Sequence, residues 1–87
     1  MAKYDPLFEH LCKAGSEAIT MTFDEIERLV GPLPNAALDQ SVWWSNEASR
    51  GTHVQSNAWL NAGREVEAVD RNRRRVRFSA PSWRRGA

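Results

Sequence analysis

Residues 22–32 read TFDEIERLVGP, and both ends of a helix are written into them. Thr22 and Glu25 stand three apart, the spacing of a capping box. The threonine oxygen accepts from the Glu25 backbone N–H while the glutamate reaches back to the N–H of Thr22. Met21 and Ile26 hold the positions of a hydrophobic staple across that start. Phe23, Ile26, Leu29 and Val30 recur at helical spacing and make one apolar face, with Asp24, Glu25, Glu27 and Arg28 on the water side. Gly31 and Pro32 then stop the helix. A helix over 23–30 is therefore fixed in place and polarity, and the rest of the chain must supply a partner for its single apolar face.

The other elements are read in relation to it. Asp5 and Pro6 open a first helix over 6–14, with Leu7, Phe8, Leu11 and Cys12 at helical spacing and Gly15 as its end. Residues 18–21 form a short strand. Asn35 caps a short helix that reaches Gln40, and the adjacent Trp43 and Trp44 follow in extended or irregular chain. Adjacent side chains in extended backbone point to opposite sides, so one of these two rings is expected buried and the other partly exposed. Residues 45–51 read as a loop. Thr52 and Gln55 repeat the capping-box spacing and start a third helix over 53–62, ended by Gly63. Val54, Ala58, Trp59 and Ala62 share its inner arc, and His53, Ser56, Asn57 and Leu60 share the opposite one. Residues 64–69 and 74–78 flank a turn at 70–73 and make a β-hairpin. Val66, Ala68, Val76 and Phe78 line its inner side, and Glu65, Glu67, Arg75 and Arg77 its outer side. Residues 81–87 read as a flexible basic tail beyond a single domain at 1–80.

This order gives an α+β fold of three short helices, a C-terminal β-hairpin and one further short strand. It is the element order of a winged helix, in which the short strand pairs with the ribbon and the ribbon is the wing. About twenty residues, 31–51, separate the second and third helices, where a helix-turn-helix has a short turn. The segments TFDEIERLVGPLP, WWSN, HVQSNAWLNAG, VEAVD and VRF together resemble a widespread small bacterial domain family of unassigned function, over roughly residues 4–79. Its members occur alone or fused to other domains, nuclease-like ones included. The position after the AG is often tryptophan in that family, whereas here it is Arg64. The resemblance implies a compact domain and, by association alone, DNA-related work; it transfers no catalytic residue.

Charge sharpens the functional expectation. The chain has 87 residues and a net charge of +1, but residues 1–40 carry three bases and seven acids, and residues 41–87 carry nine bases and four acids. All nine of those bases are arginine, and seven lie in the last seventeen residues, which hold no acid. Arginine offers the planar fork that grips phosphates. Such asymmetry points to a polyanionic partner. The single cysteine, Cys12, excludes an internal disulfide and is read as a core residue. No apolar run is long enough to cross a bilayer, and the polar N-terminus is unlike a signal peptide, so a cytoplasmic protein without membrane association is expected.

The expected function is double-stranded DNA binding by a transcriptional or defence-associated regulator that works as a homodimer. In that reading Arg50, Thr52 and His53 offer phosphate contacts at the start of the third helix. Ser56 and Asn57 face base edges; Gln55, near the edge of the inner arc, is a further contact candidate, with a capping role alone as its alternative. Arg71, Arg73, Arg74 and Arg75 form the wing tip. Trp43, Trp44 and Asn46 are a further candidate contact, an aromatic slot for a flipped base. The alternative is a protein-interaction or dimerisation module without direct DNA contact, because tryptophan and arginine together make interface hot spots. No enzyme is expected. His10 and Cys12 are two apart on a helix and face different ways, two histidines and one cysteine do not make a zinc site, and no phosphate loop or dinucleotide turn is present. No cofactor or metal is expected.

Overall fold

The computed structural model describes residues 3–46 and 55–85. Helix α1 (Asp5–Lys13) leads to strand β1 (Ile19–Thr22), and helix α2 (Phe23–Val30) follows without a linker. A short helix α3 (Asn35–Asp39) runs into a single 3-10 turn (Ser41–Trp44). Helix α4 (Ser56–Asn61), strands β2 (Val66–Asp70) and β3 (Arg75–Phe78), and a terminal helical turn α5 (Ser82–Arg85) complete the chain. The fold is α+β: one antiparallel sheet in the order β1-β3-β2, with helices against one face.

Local chemistry explains most of these boundaries. The capping box at α2 is complete, with Thr22 Oγ1 accepting from the Glu25 N–H at 3.0 Å and Glu25 Oε1 accepting from the Thr22 N–H at 2.8 Å. Met21 and Ile26 are both buried, as a staple requires. Gly31 ends α2 at φ +87°, a left-handed conformation that favours glycine. Past that stop, Glu27 Oε2 accepts the Leu33 N–H at 2.8 Å and fixes the exit of the chain. The sheet brings its own corrections. β1 lies one residue later than expected, at Ile19–Thr22, and pairs with β3, Met21 opposite Val76. Between Val66 and Ala68 the β2–β3 register shifts, so a β-bulge accommodates Glu67. Strict alternation puts Val66 and Ala68 inside; the bulge moves the second inward position to Val69 and leaves Ala68 exposed.

The core is built on stacked rings. Trp44 lies between Phe23 (centroids 5.1 Å apart, planes at 16°) and Trp59 (5.9 Å, 22°), and Trp59 in turn meets Phe78 at 5.7 Å. The rings thus tie α2, the 3-10 turn, α4 and β3 together. Trp43 packs edge-on to Trp44 at 4.6 Å and to Tyr4 at 6.1 Å. Burial raises the Tyr4 hydroxyl's pKa above its ordinary value. Two of the indole N–H groups have defined acceptors: Trp44 Nε1 donates to the Ala37 carbonyl at 2.9 Å, and Trp59 Nε1 donates to Asn46 Oδ1 at 3.0 Å.

Three N-terminal expectations change. Asp5 lies in the first turn of α1 and Tyr4 holds the cap position; Asn35 is the first residue of α3, capped by Pro34, with no side-chain cap bond in either helix. Cys12 is exposed. The buried line of α1 is Leu7 and Leu11, and a residue one further along is turned ~100° out of it. At the other end, residues 82–85, expected as tail, form a helical turn. Pro81 is buried and the Ser82 N–H donates to the Gly63 carbonyl at 2.6 Å. Gly63 has φ +78°, and a Cβ there would sit 2.9 Å from Ser82 Oγ, so glycine is needed for both conformation and space.

Candidate nucleic-acid interface

The expected interface has two parts, a helix and a wing, and the structure treats them differently. Arg50, Thr52 and His53 lie outside the described residues. Gln55, expected near the edge of the inner arc, is buried, and its side-chain N–H₂ donates to the Trp43 carbonyl at 2.9 Å. Ser56, expected to face outward, is fully buried, and Asn57 is half-buried. The reason is that α4 packs on two sides. Trp59 and Ala58 enter the core as expected, while Asn57 and Asn61 flank a shallow depression of about 170 Å³ shared with Tyr4, Asp5 and Phe8 of the α1 region. Of the six residues of α4 Asn61 alone is exposed, which is too narrow a face for a groove.

The aromatic candidates are corrected too. Trp43 and Trp44 are both buried, at 8% and 2% exposure. They sit in a 3-10 turn, where successive side chains diverge by ~120° and not by the 180° of a strand, so both reach the same core. The two faces of Trp44 are covered by Phe23 and Trp59, which leaves no slot for a base. Asn46 has a structural role. Its side chain donates to the Val66 carbonyl at 2.9 Å and accepts the Val66 N–H at 2.7 Å. In effect Asn46 imitates one residue of a neighbouring strand and covers that part of the β2 edge.

The wing arginines stand where the hairpin puts them. Arg71, Arg73, Arg74 and Arg75 are all exposed at the β2–β3 turn and the start of β3. Asp70 orders the turn: its carboxylate accepts the Arg73 N–H at 3.1 Å and lies 3.8 Å from the Arg73 guanidinium. Arg74 takes φ +55°, left-handed and unusual for a residue with a side chain. Its carbonyl accepts the Phe23 N–H at 2.8 Å, and its guanidinium lies over the Phe23 ring at 5.7 Å, 3.4 Å from Asp24 and 3.7 Å from Glu27. Arg71 donates to the Asp39 carbonyl at the end of α3. The tip is therefore fastened to α2 and α3.

One face of the sheet is open. Thr22, Arg75 and Asp70 form one row across it, and Thr20, Arg77 and Ala68 the next. Arg77 is paired with Glu67 at 2.9 Å, in keeping with the alternation of charges along the ribbon. The Arg75 side chain has no ion-pair or hydrogen-bond partner among the described residues.

Arg64 is a structural centre that the pattern of the sequence does not announce. It is 1% exposed, and its guanidinium is surrounded by backbone carbonyls. Nε donates to Leu11 O at 3.1 Å, Nη1 to Glu17 O at 2.9 Å and Ser79 O at 3.0 Å, and Nη2 to Gly15 O at 2.8 Å. Burial lowers its pKa from the ordinary arginine value. One signal is present in the chain: Arg64 shares strand parity with Val66, whose expected direction is inward.

Among the described residues no group of three or more His, Cys, Asp or Glu side chains could hold a metal ion, and no helix is long and apolar enough to cross a membrane. No curated protein and no solved structure matches the chain. A family model described as a domain of unknown function (DUF7662) does match, over residues 4–81, which spans every element from α1 through β3 and ends at the buried Pro81. The chain belongs to that family.

Proposed function

We propose that this protein binds duplex DNA through the arginine hairpin and the adjoining open sheet face, contacting phosphates more than base edges. The observation that carries the reading is the exposure of Arg71, Arg73, Arg74 and Arg75 together, with Arg75 unpartnered on the open face among the described residues. The sheet order β1-β3-β2, in which the short strand pairs with the returning strand of the ribbon, supports likeness to a winged helix. With Gln55 and Ser56 buried, the third helix drops out of the proposed contact surface. Binding would then be weakly sequence-selective, since phosphates position a protein and base edges specify it. A transcriptional or defence-associated regulator in the cytoplasm is the setting proposed for it.

The test is fluorescence anisotropy with a labelled random duplex over a salt series. Non-specific binding of this kind has a Kd of about 10⁻⁴ to 10⁻⁶ M near physiological salt and tightens as salt falls. Arg71→Ala, Arg73→Ala and Arg75→Ala together should weaken binding and flatten the log–log salt slope by about 0.9 for each phosphate no longer neutralised. No binding at ~50 mM salt with ~100 μM protein would remove the proposal.

The second reading, homodimerisation or protein docking, is favoured by one specific observation: Trp83 is 67% exposed and Val42 57% exposed. Light scattering across a concentration series separates the two. A dimer abolished by Trp83→Ser, with DNA binding absent, would favour the interaction module.

A further inference from the structure

A depression of about 320 Å³ opens beside Arg64, lined by Leu11, Cys12, Gly15, Ala62, Pro81 and Trp83, with Asn61 as its one uncharged polar side chain besides the thiol. It lies on the α1–α5 side of the molecule and shares no residue with the arginine hairpin. Two features make it more than a surface dent. The first is a buried cation without a counter-charge. Arg64 makes no ion pair with any described carboxylate, and four carbonyl dipoles stand in for one. Carbonyls offset only part of the desolvation of a guanidinium, so a net positive potential remains at the back of the depression. The second is an unused donor. A guanidinium has five N–H groups. Nε uses its one and Nη1 both of its two, while Nη2 uses one, on Gly15. The remaining Nη2 N–H has no acceptor among the described residues.

The walls supply the other half of the chemistry. Leu11, Ala62 and Pro81 are apolar, and Trp83 offers an exposed indole at the mouth. The volume is at the lower end of small-molecule pockets. We propose that the depression binds a small carboxylate with an apolar or aromatic body, one carboxylate oxygen accepting from Arg64 Nη2 and the body lying against Trp83. A single available N–H suits a monoanion. A phosphate dianion, which demands several donors, is poorly served by these walls.

Benzoate is the probe, with benzyl alcohol as its uncharged counterpart and inorganic phosphate as the competing anion. Two readouts follow the same titration of the whole chain: the nitrogen-proton NMR signals of the Trp83 indole and Arg64 Nε, and the rate at which N-ethylmaleimide alkylates Cys12, the chain's one cysteine. The expected result is a saturable shift of both signals with benzoate and slower alkylation of Cys12. Benzyl alcohol and phosphate should do neither. Trp83→Ala, at an exposed position that leaves the core intact, should weaken benzoate binding about fivefold through loss of the aromatic wall. Arg64→Lys should abolish it where the variant folds, and Ala62→Phe, which fills the depression and keeps Arg64, should abolish it independently. A straight-line response to benzoate, equal shifts with benzyl alcohol, or equal binding of phosphate would overturn the proposal.

Discussion

Four carbonyls converge on one side chain at Arg64, and one of them, Leu11 O, belongs to the last turn of α1. A cation near a helix C-terminus complements the negative end of the dipole, and here it adds a shorter bond to a carbonyl that otherwise holds only the Ala14 N–H at 3.5 Å. Arg64 thereby ties α1, the loop after it and the end of β3 to one point. Truncation would leave the Leu11 and Ser79 carbonyls buried without this donor and create a void. Arg64→Ala should cost about 3 kcal/mol or more in urea unfolding, and Arg64→Lys should recover only part, because a point charge cannot reach acceptors spread around a planar fork. An exposed arginine of the hairpin, such as Arg73, should change stability by less than ~0.5 kcal/mol when replaced by alanine. Arginine is legible from composition only as a phosphate-binding residue. That one of nine serves as a core bracket depends on non-local geometry, since its acceptors lie 15 to 53 residues away along the chain.

At the scale of elements, what is legible follows from chemistry contained within a few residues. Helix α2 matches its expected bounds residue for residue because its cap, apolar stripe and stop all act locally. Replacing Thr22 by alanine should cost about 1 kcal/mol, measured by urea unfolding. The Glu25 carboxyl is held below the ordinary glutamate range, first by the Thr22 backbone N–H and then by the Thr22 side chain. A depressed folded-state pKa means that this contribution is present at neutral pH and lost as pH falls through the folded value. As pH falls from the ordinary glutamate value of about 4.3 to below the folded value, wild type should therefore lose more stability than Glu25→Gln, which keeps a neutral acceptor throughout. Helix α4 departs from expectation where tertiary packing takes over. The arc containing Ser56 and Asn57 is polar by composition, yet α1 lies against it. The bulge at Glu67 shows the same limit, because an extra residue in a strand changes which side chain faces in without altering the local pattern that suggests alternation.

For the whole molecule, aromatic packing is the organising fact, and it makes the tryptophans unequal. Trp43, Trp44 and Trp59 are buried and Trp83 is exposed. Acrylamide should quench one emission component strongly, and Trp83→Phe should remove it without altering the melting temperature beyond a degree or two. By contrast Trp59→Ala should cost about 3–5 kcal/mol and threaten folding outright, since the ring joins α4 to the sheet. The α+β class and the pairing of β1 with the ribbon can be inferred from element order; the identity of the open surface cannot. It depends on which residues the core consumes, and this core consumes both adjacent tryptophans together with Gln55 and Ser56, leaving the hairpin and the open sheet face. The same ring stack has an optical corollary. Two indoles held 5.9 Å apart at a fixed 22° tilt, with phenyl rings on either side, couple their excited states in a chiral arrangement. The native chain should show an exciton couplet in circular dichroism that Trp44→Phe abolishes, so the packing of the core can be followed by its own chromophores, without any added label.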